Sequence, residues 1–248
     1  YSFFDSNNNS IFNFIIGNLE KISDGFYLAT NEESNNKVVL NPNTRDKKTF
    51  KGDVKLLTSP YYAVFSYKKW HLYRGFEQIG NGGFDDIQPL GESIFSVKTI
   101  THRRSWDGSW YSWDSDTRWD VLNSDGKAYN HNFREKPQLL SGICYYVIGY
   151  YENKLYRNGE LLIENVDKVE KVTDNRFIIN IRNKGKVIID NNGLIITKTE
   201  YTSITYNEEQ NNFTVETKPG QQGIINYNGN FSPDTVWQAD SNEFQIVE

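Results

Sequence analysis

An aromatic residue opens a strand-like run at Phe26, Tyr62, Phe95, Tyr145, Phe177, Phe213 and Phe244, in steps of 36, 33, 50, 32, 36 and 31 residues. A near-constant period in this range marks a chain built from repeated supersecondary units that bury their faces by stacking. A second strand and a polar turn follow the aromatic in six places: Lys37-Val-Val-Leu-Asn-Pro-Asn, Trp70-His-Leu-Tyr-Arg-Gly, Trp119-Asp-Val-Leu-Asn-Ser-Asp-Gly-Lys, Lys154-Leu-Tyr-Arg-Asn-Gly, Lys186-Val-Ile-Ile-Asp-Asn-Asn-Gly and Gly223-Ile-Ile-Asn-Tyr-Asn-Gly. Only the step of 50 is out of line, and it contains a Trp-rich insertion at 101–118, which reads as a loop.

The units are β units. Apolar residues do not recur at helical spacing over any long window; short runs of Val, Ile, Tyr and Phe are punctuated by Asn, Asp and Gly instead. Phe177-Ile-Ile-Asn-Ile-Arg, Lys186-Val-Ile-Ile-Asp and Leu194-Ile-Ile-Thr-Lys read as three strands joined by Asn183-Lys-Gly and Asn191-Asn-Gly. Leu155-Tyr-Arg-Asn-Gly-Glu-Leu-Leu-Ile is a further hairpin. Asn-Gly and Lys-Gly suit turn positions that need positive φ.

The last unit, opening at Phe244, runs out of chain after Glu248, whereas Tyr1-Ser-Phe-Phe-Asp-Ser-Asn-Asn-Asn has the strand-then-turn pattern with no strand before it. Joining the two ends restores a spacing of 30 residues from Phe244 to Phe26. A unit split across the termini is the expected latch of a closed ring, because it leaves no long exposed edge. The sequence therefore predicts an all-β fold, a seven-bladed β-propeller with the termini sharing one blade, as a single domain over 1–248. Six blades remain open if the Phe95 unit is irregular. The chain starts at Tyr1 and contains no Met, as expected of a processed, truncated or excised product, and the split unit reads Tyr1–Glu248 as one whole ring.

Composition bounds the function. Aromatic residues make up 15% of the chain, which excludes a disordered chain. A net charge of −5 leaves no basic footprint for nucleic acid. No apolar run approaches the roughly 18 residues of a membrane span, and the single Cys144, in an apolar run, reads as a buried small hydrophobe rather than half of a disulfide.

Trp119-Asp-Val-Leu-Asn-Ser-Asp-Gly-Lys and Trp70-His-Leu-Tyr resemble the WG-repeat motif, in which Trp is followed by a strand, an Asn or Asp and a Gly turn; Ile224-Ile-Asn-Tyr-Asn-Gly and Val187-Ile-Ile-Asp-Asn-Asn-Gly are similar to its second half. The likeness touches most of the chain but is degenerate, since Trp is followed here by His71 or Asp120, or replaced by Lys or Gln. The resemblance implies a β-repeat scaffold used for binding, mostly bacterial, and brings no catalytic residues.

The insertion holds Trp106, Trp110 and Trp113, with Tyr111 among them and Arg103 and Arg104 before them. These six residues are the candidate contact surface for a partner or a glycan, because a Trp face desolvates a large area while its N–H stays available. An extended hairpin whose aromatics pack on a neighbouring blade is the competing reading. His102 with Arg103 and Arg104 could hold an anion. Asp114, Asp116 and Asp120 have part of the spacing of a calcium loop but lack its sixth-position Gly and closing Glu, so no metal is assigned. His71, His102 and His131 show no metal-ligand spacing. No Gly-x-Ser-x-Gly, Walker or His-Glu-x-x-His pattern occurs.

The functional expectation is a non-catalytic scaffold for protein–protein interaction, without a cofactor, serving as a subunit of a bacterial surface, secretion or virion assembly. The alternative is a carbohydrate-binding or glycoside-cleaving propeller that uses the Trp-rich insertion. An extracellular or cell-surface location is expected, with virion and cytoplasm left open. If the ends share one unit, deleting Tyr1–Asp5 should lower the melting temperature of the whole fold in a circular dichroism melt. An unchanged melt would contradict the shared unit.

Overall fold

The computed structural model describes residues 1–106, 109–149, 152–197, 200–217 and 221–230. Two compact units divide the chain at Pro137 and Gln138. All regular structure among the described residues is strand, arranged as six antiparallel sheets in which neighbours in sequence are neighbours in space. These small up-and-down meanders are the sheets of which β-propeller blades consist.

The first unit holds three sheets. Strands β1 (Ile16–Ser23), β2 (Phe26–Asn31), β3 (Lys37–Asn41) and β4 (Asp46–Phe50) form the first. Strands β5 (Val54–Leu56), β6 (Tyr61–Ser66), β7 (Lys69–Arg74) and β8 (Glu77–Gln78) form the second. Strands β9 (Asp86–Pro89), β10 (Phe95–Trp106) and β11 (Tyr111–Leu122) form the third. In the second unit the sheets are β12 (Gln138–Ser141) to β15 (Glu160–Ile163) through β13 (Cys144–Val147) and β14 (Lys154–Arg157); then β16 (Val166–Thr173), β17 (Arg176–Ile181) and β18 (Gly185–Asp190); then β19 (Ser203–Asn207), β20 (Asn212–Glu216) and β21 (Gln222–Asn226).

The periodic aromatic begins the second strand of each sheet, and Tyr62, Phe95, Phe177 and Phe213 face the preceding sheet of their own unit. Tyr62 packs with Ile22, Leu28 and Val39 of the first sheet, while its neighbours Tyr61 and Ala63 point the other way, to Phe95 and Val97 of the third. Phe177 packs with Leu155 and Ile163, and Ile178 turns to Phe213 and Val215. A strand buried on both faces reads as an unbroken apolar run, which is why Tyr61-Tyr-Ala-Val-Phe65 and Phe177-Ile-Ile show no alternation. The first sheet departs by one residue. There Tyr27, not Phe26, meets the preceding segment, at 5.6 Å from the Phe3 ring, while Phe26 faces forward to Phe76 at 5.1 Å. The register shift between Lys21 and Ser23 accompanies this difference.

One turn recurs after the third strand, and it explains the Asx-x-x-Gly signature. The Oδ1 of Asp190 accepts the N–H groups of Asn192 and Leu194 at 2.9 and 2.7 Å. Asn123 accepts those of Asp125 and Lys127, and Asn226 those of Asn228 and Asn230. The residue three places on has positive φ each time: Gly193 at 78°, Gly126 at 71° and Gly229 at 82°. Asp5 makes the same turn at the start of the chain, accepting from Asn7 and Asn9, with Asn8 at φ 62° in the glycine's place. Asn tolerates that conformation better than other non-glycine residues. Residues 1–10 thus carry the turn that follows the third strand elsewhere and are tied to the first sheet by the Tyr1 ammonium, which donates to the Ile16 carbonyl at 2.6 Å. The strands expected to complete that unit, from Phe244, lie outside the described residues.

The WG-like position has a backbone role. Trp70 and Phe84 exchange N–H···O bonds of 2.7 and 2.9 Å; Trp119 and Phe133 do so at 2.8 Å each way; Lys186 and Tyr201 at 2.6 and 2.9 Å. A main-chain bridge does not need an indole, so Lys can stand where Trp stands in other units.

Cys144 is fully buried, and burial pushes its thiol up to about 11. In the native protein it should react with a thiol reagent near pH 8 at least tenfold more slowly than in urea, because little thiolate is present. Phe177→Ala should cost about 3–5 kcal/mol in a urea melt. A loss below about 1 kcal/mol would contradict its keying role.

Candidate functional site

The Trp-rich insertion is not a loop. It is the outer half of a hairpin in which β10 and β11 pair without interruption from Phe95↔Leu122 to Trp106↔Tyr111. The inner half is core: Phe95, Val97, Val121 and Leu122 are buried. The same two strands then continue past the end of β9, which pairs with β10 only from Phe95 to Lys98. The result is a two-stranded ribbon whose base is clamped in a packed sheet.

Asp85 and Asp86 make the clamp. The Lys69 ammonium lies 2.7 Å from Asp85, whose Oδ2 also accepts the Ile100 N–H at 2.6 Å. That carboxylate takes the place of a backbone acceptor at the point where β9 ends. Lys55 lies 2.7 Å from Asp86 and 4.3 Å above the centre of the Trp70 ring. Burial alone would raise both carboxyls, but the lysine bonds, with the Ile100 N–H on Asp85 and the Gln88 amide on Asp86, outweigh it and hold both below their ordinary value.

Opposed residues of an antiparallel pair share a face. Trp106, opposite Tyr111, lies on one face with Arg104, opposite Trp113, and His102, opposite Ser115. Arg103 opposite Asp114 and Thr101 opposite Asp116 lie on the other. The ribbon therefore has an aromatic face and a charged face. The indoles stay solvent-exposed: Trp106 at 55%, Trp110 at 61% and Trp113 at 71%. Tyr111 holds its place in the register, but its side chain lies outside the described residues.

The calcium candidates form no site. Asp114, Asp116 and Asp120 alternate along one extended strand, so Asp114 and Asp120 are about 20 Å apart, whereas calcium needs its oxygens within about 2.6 Å of one point. Their oxygens are also engaged. Ser105 donates to Asp114 at 3.0 Å, Arg118 pairs with Asp116 at 2.8 Å, and Asp120 accepts the N–H groups of Val121 and His131. Among the described residues no group of three His, Cys, Asp or Glu is placed to hold a metal. The histidines serve separately: His71 contacts the Ser66 carbonyl and the Gln78 amide, and His131 stacks on Phe133 at 4.9 Å.

Two clefts lie along the charged face. One, of about 450 Å³, is at the base between Thr99, Thr101, Asp120 and the left-handed Asn130 and Asn132. The other, of about 470 Å³, lies further out and is lined by Arg103, Arg118, Arg134, Asp114 and Asp116, and also by Arg104, whose register position is on the aromatic face. Sequence reading did not single out Arg118 or Arg134 as site residues. The Asp116-x-Arg118 alternation signals the first, since both must share a strand face; nothing in the sequence brings Arg134 to that cleft.

No protein-family model matches the chain, and no curated protein matches it. Solved structures similar to it include BamB from Moraxella catarrhalis, at 11% identity over 91% of this chain and 78% of that one, with a TM-score of 0.27. The WD40 β-propeller domain of Doa1 is similar at 9% identity over 90% and 82%, TM-score 0.27. The acylaminoacyl peptidase of Pyrococcus horikoshii is similar at 14% identity over 91% of this chain and 46% of that one, TM-score 0.33.

Because the Asp85 and Asp86 carboxyls are held low, their stabilising effect is complete above the unfolded value of about 4 and is lost as pH falls through the lower folded values. Asp85→Asn should therefore cost about 1–2 kcal/mol in urea melts at neutral pH, and the gap from wild type should close under strongly acidic conditions. A gap that persists at low pH would contradict the clamp.

Proposed function

We propose that this chain is a non-catalytic interaction scaffold, built from degenerate WG-type β-repeats, that docks a protein partner on the aromatic face of the β10–β11 ribbon. The observation that carries this reading is the exposure of Trp106 and Trp113 on strands whose inner halves are core, with exposed Trp110 directly before β11. Exposed indoles on a rigid support lose little conformational entropy on binding and bury a large area, which is the chemistry of interface hot spots. The ribbon's acids support a non-catalytic role, since Asp114, Asp116 and Asp120 are engaged by Ser105, Arg118 and main-chain N–H groups rather than aimed at a reacting atom. A role as a subunit of a bacterial surface, secretion or virion assembly fits a scaffold with one projecting contact element.

A second reading, glycan binding, rests on the same indoles, whose faces suit sugar rings. The partner captured from the native host and identified by mass spectrometry should bind Trp106→Ala and Trp113→Ala variants at least about 2 kcal/mol more weakly in calorimetry, with unchanged melting temperature. A glycan array should stay blank. Unaltered partner binding would remove the ribbon from the interface, and glycan signals abolished by Trp110→Ala and Trp113→Ala would replace the protein reading with the sugar one.

A further inference from the structure

The outer cleft on the charged face has an excess of cation in an acidic protein. Arg103, Arg118 and Arg134 line it with Asp114 and Asp116, joined by Arg104 from the aromatic face, while the chain as a whole carries −5. The internal pairing is uneven. Asp116 is taken by Arg118 and Asp114 by the Ser105 hydroxyl. Arg103 opposes Asp114 in register, but the serine holds that carboxylate. Among the described residues Arg103 and Arg134 neither hydrogen-bond nor pair with an acid. They come from different segments, β10 and the stretch after Phe133. The main-chain bonds between Trp119 and Phe133 hold that stretch against β11, so Arg134 follows directly where the chain reaches the cleft.

We propose that Arg103 and Arg134 form a carboxylate-binding subsite, and that its ligand is an Asp or Glu side chain of the protein docked on the ribbon. This rests on the interaction reading of the ribbon and adds the charge chemistry of the partner. Guanidinium forks bind planar oxyanions through paired N–H···O bonds. Charge decides between carboxylate and phosphate. With Asp116 and Asp114 already in the cleft, any anion meets two like charges at close range, and a monoanion meets less of that repulsion than a dianion does. The partner's acid then lies on the face opposite the one its apolar surface covers. An acid that reaches round the ribbon fixes the register of docking, as electrostatic complementarity does elsewhere.

The test uses the full chain and a single-carboxylate probe, N-acetylglutamate α-methylamide, titrated while the arginine Nε–H signals are followed by NMR. The expected result is saturable shifts at Arg103 and Arg134, weakened at least fivefold by Arg103→Gln or Arg134→Gln. Trp113→Ala should leave them intact, because the indole is on the other face. N-acetylglutamine α-methylamide, of the same shape without charge, should give no saturable shift. Shifts that do not saturate, an equal response to the glutamine probe, or tighter binding of inorganic phosphate would overturn the subsite. The indole variants test the ribbon interface on their own, so the carboxylate subsite can fail while that reading stands.

Discussion

A small meander with apolar residues on both faces must have them covered by neighbouring sheets, and here the aromatic at the start of a second strand makes that contact. Tyr62, Phe95, Phe177 and Phe213 each bury completely or nearly so against the sheet before them. After Tyr62 and Phe177 the next residue along the strand, Ala63 or Ile178, faces the sheet after. One pleat thus joins two cores, and the period-two geometry of a strand becomes the coupling between repeats. Each aromatic brings a large buried area and edge or stacked ring contacts, such as Tyr61 on Phe95 at 5.0 Å and Tyr62 on Tyr73 at 5.5 Å.

The ribbon is a consequence of that arrangement. Strands β10 and β11 are fixed by the cores they cross, so their outer halves leave the sheet in a set direction. Asp85 ends the pairing of β9 with β10 by offering a side-chain oxygen where a backbone carbonyl would otherwise stand. Alternation then sorts Trp106, Trp113 and Arg104 onto one face and Arg103, Asp114 and Asp116 onto the other. An interaction element on such a base needs little ordering when a partner arrives.

Much of this is legible in the sequence because it rests on local rules. The aromatic period marks the second strands, and Asx-x-x-Gly marks the turns, including the Asp5 copy in which Asn8 replaces the glycine. Asn158-Gly159 correctly divides β14 from β15, with both residues at positive φ. Other features were not legible. Phe26 and Tyr27 are adjacent aromatics, and only the bulge near Ser23 decides which of them faces back. Leu194-Ile-Ile reads as a strand, but a single bridge from Ile195 to Ile189 marks its pairing. The 101–118 insertion reads as a loop because Asp, Gly and Ser interrupt it, yet its register continues that of two core strands. Arg134 reaches the charged cleft through the bridge between Phe133 and Trp119, a tertiary pairing that no local pattern announces.

The central claim is that the aromatic contact surface is an extension of core strands. Hydrogen–deuterium exchange of the native protein, resolved along β10 and β11, tests it most directly. The predicted result is strong protection from Phe95 to Val97 and at Leu122, falling gradually outward, with Arg103 and Asp114 still exchanging well below the unfolded rate. Exchange at the unfolded rate throughout 101–118 would contradict it, because the tryptophans would then sit on a loop without a scaffold beneath them.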